Sequence, residues 1–584
     1  MAGGTSSLDG KLLVAAIDFG TAYSGYAFSF RNDYRLDPLK IEVNHWTGNA
    51  SQTMSPKAPS SVLLNPDKTF KSFGYTAEEE YSSLVENGQH RDWYFFTKIK
   101  MRLLYHEKIS RTATIEDECG KPVLGLTILS MIIRYLKGDL FKRLEQRGMP
   151  LRDQDILWVL TVPAIWSDAA KQFTKEAAEE AGIKPNDVML VYEPEAAALY
   201  CRFQTNQNIA NVKDESNLLK KKMLVFDMGG GTTDISAIEI KSEKEIHIVE
   251  RACGGAFGGV YINEKFIQWL EDVFGKDTIT KFKTEHRSDY MLLIENFENK
   301  KRLIDPSNDK KICLPIPLSL KSIAEKLWGY SIQDRFKKME INDVQLKGRG
   351  KVFFPSSFLL ENFFIPIGKD VFEELQHILS KHADIDCVVA VGGLAQSPAV
   401  VSEIRKYTRD IPVYVPFDSS LAVVSGAVLY GHENNIIKAR VCPYSYGIQT
   451  MRPFIKGDDE KKKVVQEGKT WCKQCFRALY NAGDLVKLGD VSSYDLEESF
   501  EDENRKHKRF LPIRCVMFIS KKKDVKYITD KGCIEHGTIE IEAPENGFPV
   551  HYECTVELEF AGTEIIARLK DEKGTKTIRL EFMN

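Results

Sequence analysis

Residues 223–240 read MLVFDMGGGTTDISAIEI, a sequence that fits one local structure. Residues 223–226 are apolar without alternation and Asp227 ends the run. Three glycines and two threonines follow, and residues 235–240 are largely apolar again. An unbroken apolar run suits a strand buried on both faces, and a glycine turn sends the chain back beside it. The unit also occurs near the start. Residues 12–18 read LLVAAID, Phe19-Gly20-Thr21 make a turn, and residues 26–30 return. Strand, aspartate, glycine turn and returning strand thus occur twice, which predicts a duplicated fold with two comparable halves.

Between the two units, strands alternate with helices. Residues 156–162 are predicted as a strand stopped by Pro163. Ser167 caps a helix over 168–181 that Gly182 closes. Residues 188–192 form a further strand, and Glu193-Pro194 open a helix with proline in its first turn. In the second half, 266–274, 290–304 and 371–380 are predicted helical. A buried strand over 387–391 runs into Gly392-Gly393; a helix over 398–407, a strand over 413–415 and an apolar helix over 420–430 follow. Beyond 441 the texture changes. TVELEF (555–560) and TIRLEF (577–582) alternate apolar and polar residues, as half-buried antiparallel strands do. The mixed charge run 497–509 reads as an exposed loop. The predicted division is a disordered N-terminus (1–11), a two-lobed α/β domain (12–431), a linker (432–440) and a smaller, β-rich, sandwich-like domain (441–584).

Composition narrows the function. Eighty Lys and Arg against 83 Asp and Glu leave a net charge of −3, which argues against a general nucleic-acid binder. No apolar run reaches the ~18 residues of a membrane span. The cysteines are 11, scattered and odd in number, as expected of a reduced, intracellular compartment. The C-x-x-C at Cys472 and Cys475 has no second pair at zinc spacing, and reads as chance neighbours.

The chemistry centres on the two turns. Glycine turns let backbone N–H groups approach an anion closely, and two of them facing each other would grip a polyphosphate from both sides. Asp18 and Asp227 stand where the apolar strands end; with Glu193 they suggest a hydrated Mg2+ beside that phosphate. Other phosphate loops fail on spacing: Gly468-Lys469-Thr470 has Lys463 where a P-loop needs glycine, and GGAFGG at 254–259 lacks the dinucleotide pattern. Glu298, Lys301 and Arg302 share one helix face. Gly392-Gly393 allow close approach of a flat ligand or make a helix-entry turn. No Ser–His–Asp, Cys–His or metal-ligand cluster has usable spacing.

Several of these segments resemble one family. IDFGTAYSG (17–25), TVPAIWSDAAKQ (161–172), YEPEAAALY (192–200), VFDMGGGTTDIS (225–236), ENKKR (298–302) and VAVGG (389–393) are similar, in order, to the ATPase domain of the 70-kDa heat-shock (DnaK-type) chaperones. KAPSSVLL (57–64) and FKSFGYTAEEEY (70–81) resemble the atypical member-12 branch, types A and B. VCPYSYGIQT (441–450) resembles the opening of the family's β-sandwich peptide-binding domain. The resemblance implies an actin-like (ribonuclease H-like) ATPase domain of two lobes that takes ATP or ADP with Mg2+. Gly20, Thr21, Ala22 and Tyr23 would form one phosphate loop, and Gly229, Gly230, Gly231, Thr232 and Thr233 the other. Asp18, Glu193 and Asp227 would hold Mg2+ through water, and Asp234 would position the attacking water. The catalytic lysine would be Lys98 or Lys100, with Lys100 favoured. Glu298, Lys301 and Arg302 would cradle adenine and ribose, with Gly392 and Gly393 opposite. Pro163 would link nucleotide state to the rest of the chain. Partners would be protein or peptide clients and co-chaperones, with no nucleic acid and no membrane span, in the cytoplasm or also the nucleus.

The sequence also departs from the family pattern. Ala22 replaces a threonine, Lys171 replaces an arginine, Val260-Tyr261 replace an acidic pair, and HENNIIKARV (432–441) replaces a leucine-rich acidic linker. No long helical pattern follows the β-rich part, so a helical lid is not expected. The expected function is an ATP-binding, slowly hydrolysing chaperone-like protein. The alternatives are a nucleotide-binding scaffold without turnover, and a small-molecule kinase of the same superfamily.

Overall fold

The computed structural model describes residues 10–48, 54–104, 109–208, 221–250, 253–255, 257–308, 310–341, 343–348, 350–466, 468–501, 506–572 and 574–583. The first sheet holds β1 (Leu13–Asp18), β2 (Tyr23–Phe30), β3 (Glu42–Val43), β4 (Ile156–Val162) and β5 (Val188–Tyr192), with spatial order β5-β4-β1-β2-β3. The second holds β6 (Lys222–Met228), β7 (Thr233–Ser242), β8 (Glu245–Ile248), β9 (Cys387–Val391) and β10 (Val413–Tyr414), in order β10-β9-β6-β7-β8. The two orders match strand for strand: an antiparallel pair flanked by parallel strands on one side. The duplication read from the two glycine turns is therefore a duplication of sheets.

The sequence explains the burial. Every residue of β1 and of β4 is buried, as their unbroken apolar runs require. Two helices separate the sheets: residues 196–201 of α1 (Glu193–Asn208) and the small and apolar residues of α2 (Ala422–His432) pack with the facing residues of both sheets into one core. They cross so closely that a Cβ on Gly426 would lie 1.7 Å from the Ala196 carbonyl oxygen, so only glycine fits there. The second lobe has its own aromatic core, in which Phe266 and Phe297 stack 4.1 Å apart. Each such buried ring contributes about 1.5–3 kcal/mol.

The C-terminal strands follow the path Lys463–Gln466, Lys469–Tyr480, Ser445–Pro453, Ile513–Ser520, Cys533–Ile541, Gly574–Glu581, Glu564–Asp571, His551–Ala561 and Val491–Ser499. Ile448, Met517 and Ile539 from one end of this path share a core with Tyr494, Val556 and Leu558 from the other, so the sheet closes on its own apolar side chains.

Several boundaries differ from the sequence reading. Residues 432–440 do not form a free connection: β11 (Ile437–Val441) pairs in parallel with β8 and antiparallel with Leu485–Lys487. Ile437 and Ala439 point inward with the period of a strand. Of the expected disordered N-terminus, residues 1–9 lie outside the described residues. Lys11 is buried, donating to Asp187 at 2.5 Å and to the Gln154 carbonyl at 2.9 Å. The expected loop over 497–509 begins later, because the strand runs to Ser499. Residues 502–505 lie outside the described residues.

The β-rich part rests on the first lobe. Arg440, next to the end of β11, donates two 2.8 Å bonds to Glu195 of α1. From the helix Asp168–Glu180, Asp168 faces His536 at 2.6 Å and Lys171 donates to the Thr563 carbonyl at 2.7 Å. A cavity of about 410 Å³ lies at this junction and contains neither glycine turn.

Candidate functional site

The two glycine turns meet. A Cβ on Gly230 would stand 2.7 Å from the Ala22 Cβ, and one on Gly231 2.5 Å from the Thr21 Oγ1. Each turn is tied down locally. Gly229 N–H donates to the Thr232 carbonyl at 2.9 Å, and Ser60 Oγ donates to the Gly20 carbonyl at 2.7 Å. A third glycine pair packs behind them: Val260 N–H, at the start of the helix Gly259–Phe274, donates to the Gly230 carbonyl at 2.8 Å. Together they floor a cleft of about 470 Å³ between the lobes.

Most of the sequence-predicted residues line this cleft: Asp18, Gly20, Thr21, Ala22, Tyr23, Lys100, Glu193, Asp227, Gly229–Thr232, Glu298, Arg302, Gly392 and Gly393. Gly392 has φ +89°, and a Cβ there would lie 2.2 Å from the Met228 carbonyl and 2.8 Å from Asp227 Oδ1. Lys100 is buried and ion-paired with Glu193, whereas the Lys98 side chain is 41% exposed and pairs with Glu264 at 2.6 Å. The geometry thus separates two lysines that the sequence left open.

Three predicted residues stand elsewhere. Thr233 is fully buried and bonds the Phe257 carbonyl. Asp234 is 1% exposed, behind the cleft wall, and its Oδ1 has no hydrogen-bond partner. Lys301 does not reach the cleft. Its ammonium already donates to the Gly259 carbonyl (2.6 Å), Asn263 Oδ1 (2.8 Å) and Glu298 Oε2 (2.5 Å). Three acceptors take all three of its protons, so in this arrangement its ammonium holds Glu298, Asn263 and the Gly259 carbonyl. Helical spacing put Lys301 on the right face but could not show which neighbours claimed it.

The charges are unevenly matched. Burial would raise the Asp18 carboxyl, but Lys57 and Lys100 outweigh it and hold it below its usual range. Burial leads in raising Glu193, against the pull of Lys100. Burial, then the charges of Glu193 and Asp18, push Asp227 up to about 8. Asp234 is raised well above its ordinary value by burial and by Glu193 and Asp227. Glu298 goes the other way: Lys301 and Arg302 overcome its burial and bring it to about 2. Four carboxylates therefore share the neighbourhood of two ammonium groups, leaving an acidic excess that a cation would relieve. Among the described residues no three His, Cys, Asp or Glu side chains converge to ligate a metal directly. A Mg2+ at this oxygen-rich wall would keep its water shell, and the orphaned Asp234 oxygen suits a bound water.

Sequence reasoning missed Lys57, whose ammonium lies 2.5 Å from Asp18, and Thr161, whose hydroxyl donates to the other Asp18 oxygen at 2.8 Å. It also missed Asp418 and Gln396 on the cleft wall. Thr161 was within a quoted motif, but nothing in its spacing pointed at Asp18.

The family model described as Hsp70 protein matches residues 52–482. Heat shock 70 kDa protein 12A of Mus musculus is 27% identical over 98% of this chain and 92% of its own length, as is 12A of Homo sapiens. Heat shock 70 kDa protein 12B of Homo sapiens is 26% identical over 98% of this chain and 91% of its own length. Among the described residues no helix is long and apolar enough to cross a membrane.

Proposed function

The chain belongs to the Hsp70 family, and on that premise we propose that it binds ATP with Mg2+ between its lobes, hydrolyses it slowly and couples that cycle to holding protein clients in its β-rich part, as a cytoplasmic chaperone-like protein. The observation that carries this reading is the meeting of the two glycine turns on one cleft that also holds Asp18, Glu193, Asp227 and Lys100. In this reading the turns hold phosphate oxygens by main-chain N–H groups. Bound Mg2+ would supply charge neutralisation for the phosphates. Asp18, Glu193 and Asp227 would hold its waters. Glu193 fixes Lys100, so that ammonium is held in place before nucleotide enters. Asp234, whose Oδ1 lies without a hydrogen-bond partner behind the cleft wall, would orient the attacking water only once a water is admitted there. Arg302 lies against Glu298 at 3.0 Å and over the Tyr23 ring, and would face the base and ribose opposite Gly393. Catalysis would then be positioning and electrostatics, with no covalent intermediate.

Coupling would run through α1. Its first residue, Glu193, faces the cleft, and Glu195, two residues on, grips Arg440 of β11. Client binding is supported by the terminal position of the strand Lys463–Gln466 in its sheet, where an extended peptide could add, and by the exposed apolar side chain of Val465 on it. Calorimetry with ATP and Mg2+ tests the first step; no binding by the intact chain, or undiminished binding by Asp227→Ala, refutes it. Ala22, which lacks a hydroxyl for the phosphates, favours a second reading, a scaffold that binds nucleotide without turnover. Single-turnover hydrolysis that disappears in Lys100→Met or Asp234→Asn would exclude it.

A further inference from the structure

The strand Lys463–Gln466 is the last of its path, and among the described residues it pairs only with Lys469–Tyr480. Its outer edge therefore offers main-chain N–H and C=O groups to a further extended segment. The sequence makes its surroundings basic. Residues 452–477 and 521–531 hold 13 Lys and Arg against six Asp and Glu, in a chain whose net charge is −3. The fold joins the two stretches: Phe476 N–H donates to the Lys526 carbonyl at 3.0 Å, and Ile528 N–H to the Gln474 carbonyl at 3.1 Å. Cys472 and Cys475 of one stretch pack with Tyr527 of the other into a small core, so the edge stands on a fixed base.

Four of the six acids are engaged within this region. The buried Asp458 carboxylate accepts two bonds from Arg452 (2.8 and 2.6 Å), one from Ile455 N–H (2.9 Å) and one from the Tyr527 hydroxyl (3.1 Å), with Lys526 at 3.1 Å. Asp459 accepts from Lys461 N–H at 3.0 Å, Glu460 faces Lys463 at 3.3 Å, and Asp530 accepts the N–H groups of Lys526 (2.9 Å) and Tyr527 (3.0 Å). What remains outside is basic. Lys456, Lys461, Lys469 and Lys473 are exposed, and among the described residues no carboxylate lies within ion-pair distance of them.

Lys463 and Val465 are two residues apart on the strand and share a face. Both are exposed, Val465 at 72%. A segment laid along the edge would set one side chain beside Lys463 and another, two residues away, beside Val465. An acid suits the first place and an apolar side chain the second. A lipid headgroup or a nucleic-acid phosphate would also meet the lysines, but neither brings a strand to pair with the open edge.

Resting on the client reading above, we propose that this edge takes extended segments carrying Asp or Glu two residues from an apolar side chain, which makes the partner an acidic one. The lysines attract it, and the main-chain edge fixes its direction.

The test is the anisotropy of fluorescein-labelled VTETVTETV, VTTTVTTTV and VTKTVTKTV with the full chain. At about 50 mM NaCl the acidic peptide should bind about 10-fold more tightly than the threonine peptide and about 100-fold more tightly than the lysine peptide, and about 500 mM NaCl should remove most of the difference. Lys463→Glu combined with Lys469→Glu should lose the preference. Saturating VTETVTETV should slow amide exchange over 463–466 by about 10-fold or more, which attraction to a charged surface alone would not do. Equal binding of the acidic and threonine peptides overturns the inference and leaves the client reading standing. So does a preference that survives in the double variant, or unchanged exchange over 463–466. Phosphatidylserine vesicles or single-stranded RNA binding more tightly than the acidic peptide, and losing that binding in the double variant, would give the surface to them and overturn it too. Binding of none of the three peptides overturns both readings. The three peptides on the wild type decide the matter even if the double variant does not fold.

Discussion

Arg440 and Glu195 give the sharpest test of how the β-rich part is held. The pair is bidentate, with two bonds of 2.8 Å, and its side chains are 14% and 2% exposed. Arg440→Met would leave the Glu195 carboxylate buried without its cation. Removing one member of a buried pair costs about 3–5 kcal/mol, whereas replacing both by apolar side chains is often neutral. Arg440 sits in β11, between β8 on one side and Leu485–Lys487 on the other. That cost should therefore appear as local opening of this strand, measured by amide hydrogen exchange over 437–441. Protection there should fall about 100- to 5,000-fold in Arg440→Met, while amides of β1 and β6 keep theirs. Arg440→Met combined with Glu195→Met should recover most of the loss. Unchanged protection in the single variant refutes the reasoning. So does a double variant no better protected than the single, because the loss would then come from packing and not from an orphaned charge.

Three further outcomes follow from the cleft and the lobe junction. Gly230→Val would drive a side chain into Ala22, so ATP affinity should drop by about 100-fold or more with circular dichroism unchanged; calorimetry showing wild-type affinity would contradict the interlocked turns. Asp227 is raised to about 8, so the folded chain keeps a proton that the unfolded chain releases near pH 4, and the stability of the nucleotide-free protein falls as pH climbs from about 4 to about 8. Asp227→Asn should abolish that decline and gain on wild type across the window in thermal melts; a difference that stays flat with pH would count against the assignment. Gly426→Ala would place a Cβ on the Ala196 carbonyl, and the helices must separate; a loss of about 3 kcal/mol or more is expected in urea titration, and a neutral result would mean the crossing is looser than described.

Local sequence reached far here because the two units are short-range patterns. The unbroken runs of β1 and β6, the aspartates that end them and the glycine turns are each set by neighbours in the chain, and both sheets followed from them. The cap at Ser167 was legible for the same reason: its hydroxyl accepts from Ala170 N–H, three residues on. The strand in 437–441 carried a period-two signal, but its charged and polar flanks read as a connection until β8 was present to pair with it.

What the sequence determined by itself was therefore the repeated strand-turn-strand unit, the residue types lining the cleft between the lobes and the change to β texture beyond 441. Only the tertiary structure decided which lysine enters the cleft, that Lys301 is occupied by Glu298, Asn263 and Gly259, and that Lys57 reaches Asp18. The physical reason is range. Hydrophobic period and turn chemistry act over a few residues, whereas an ammonium is claimed by whichever oxygen the fold brings within 3 Å. For Lys57 that oxygen lies 39 positions away in the chain.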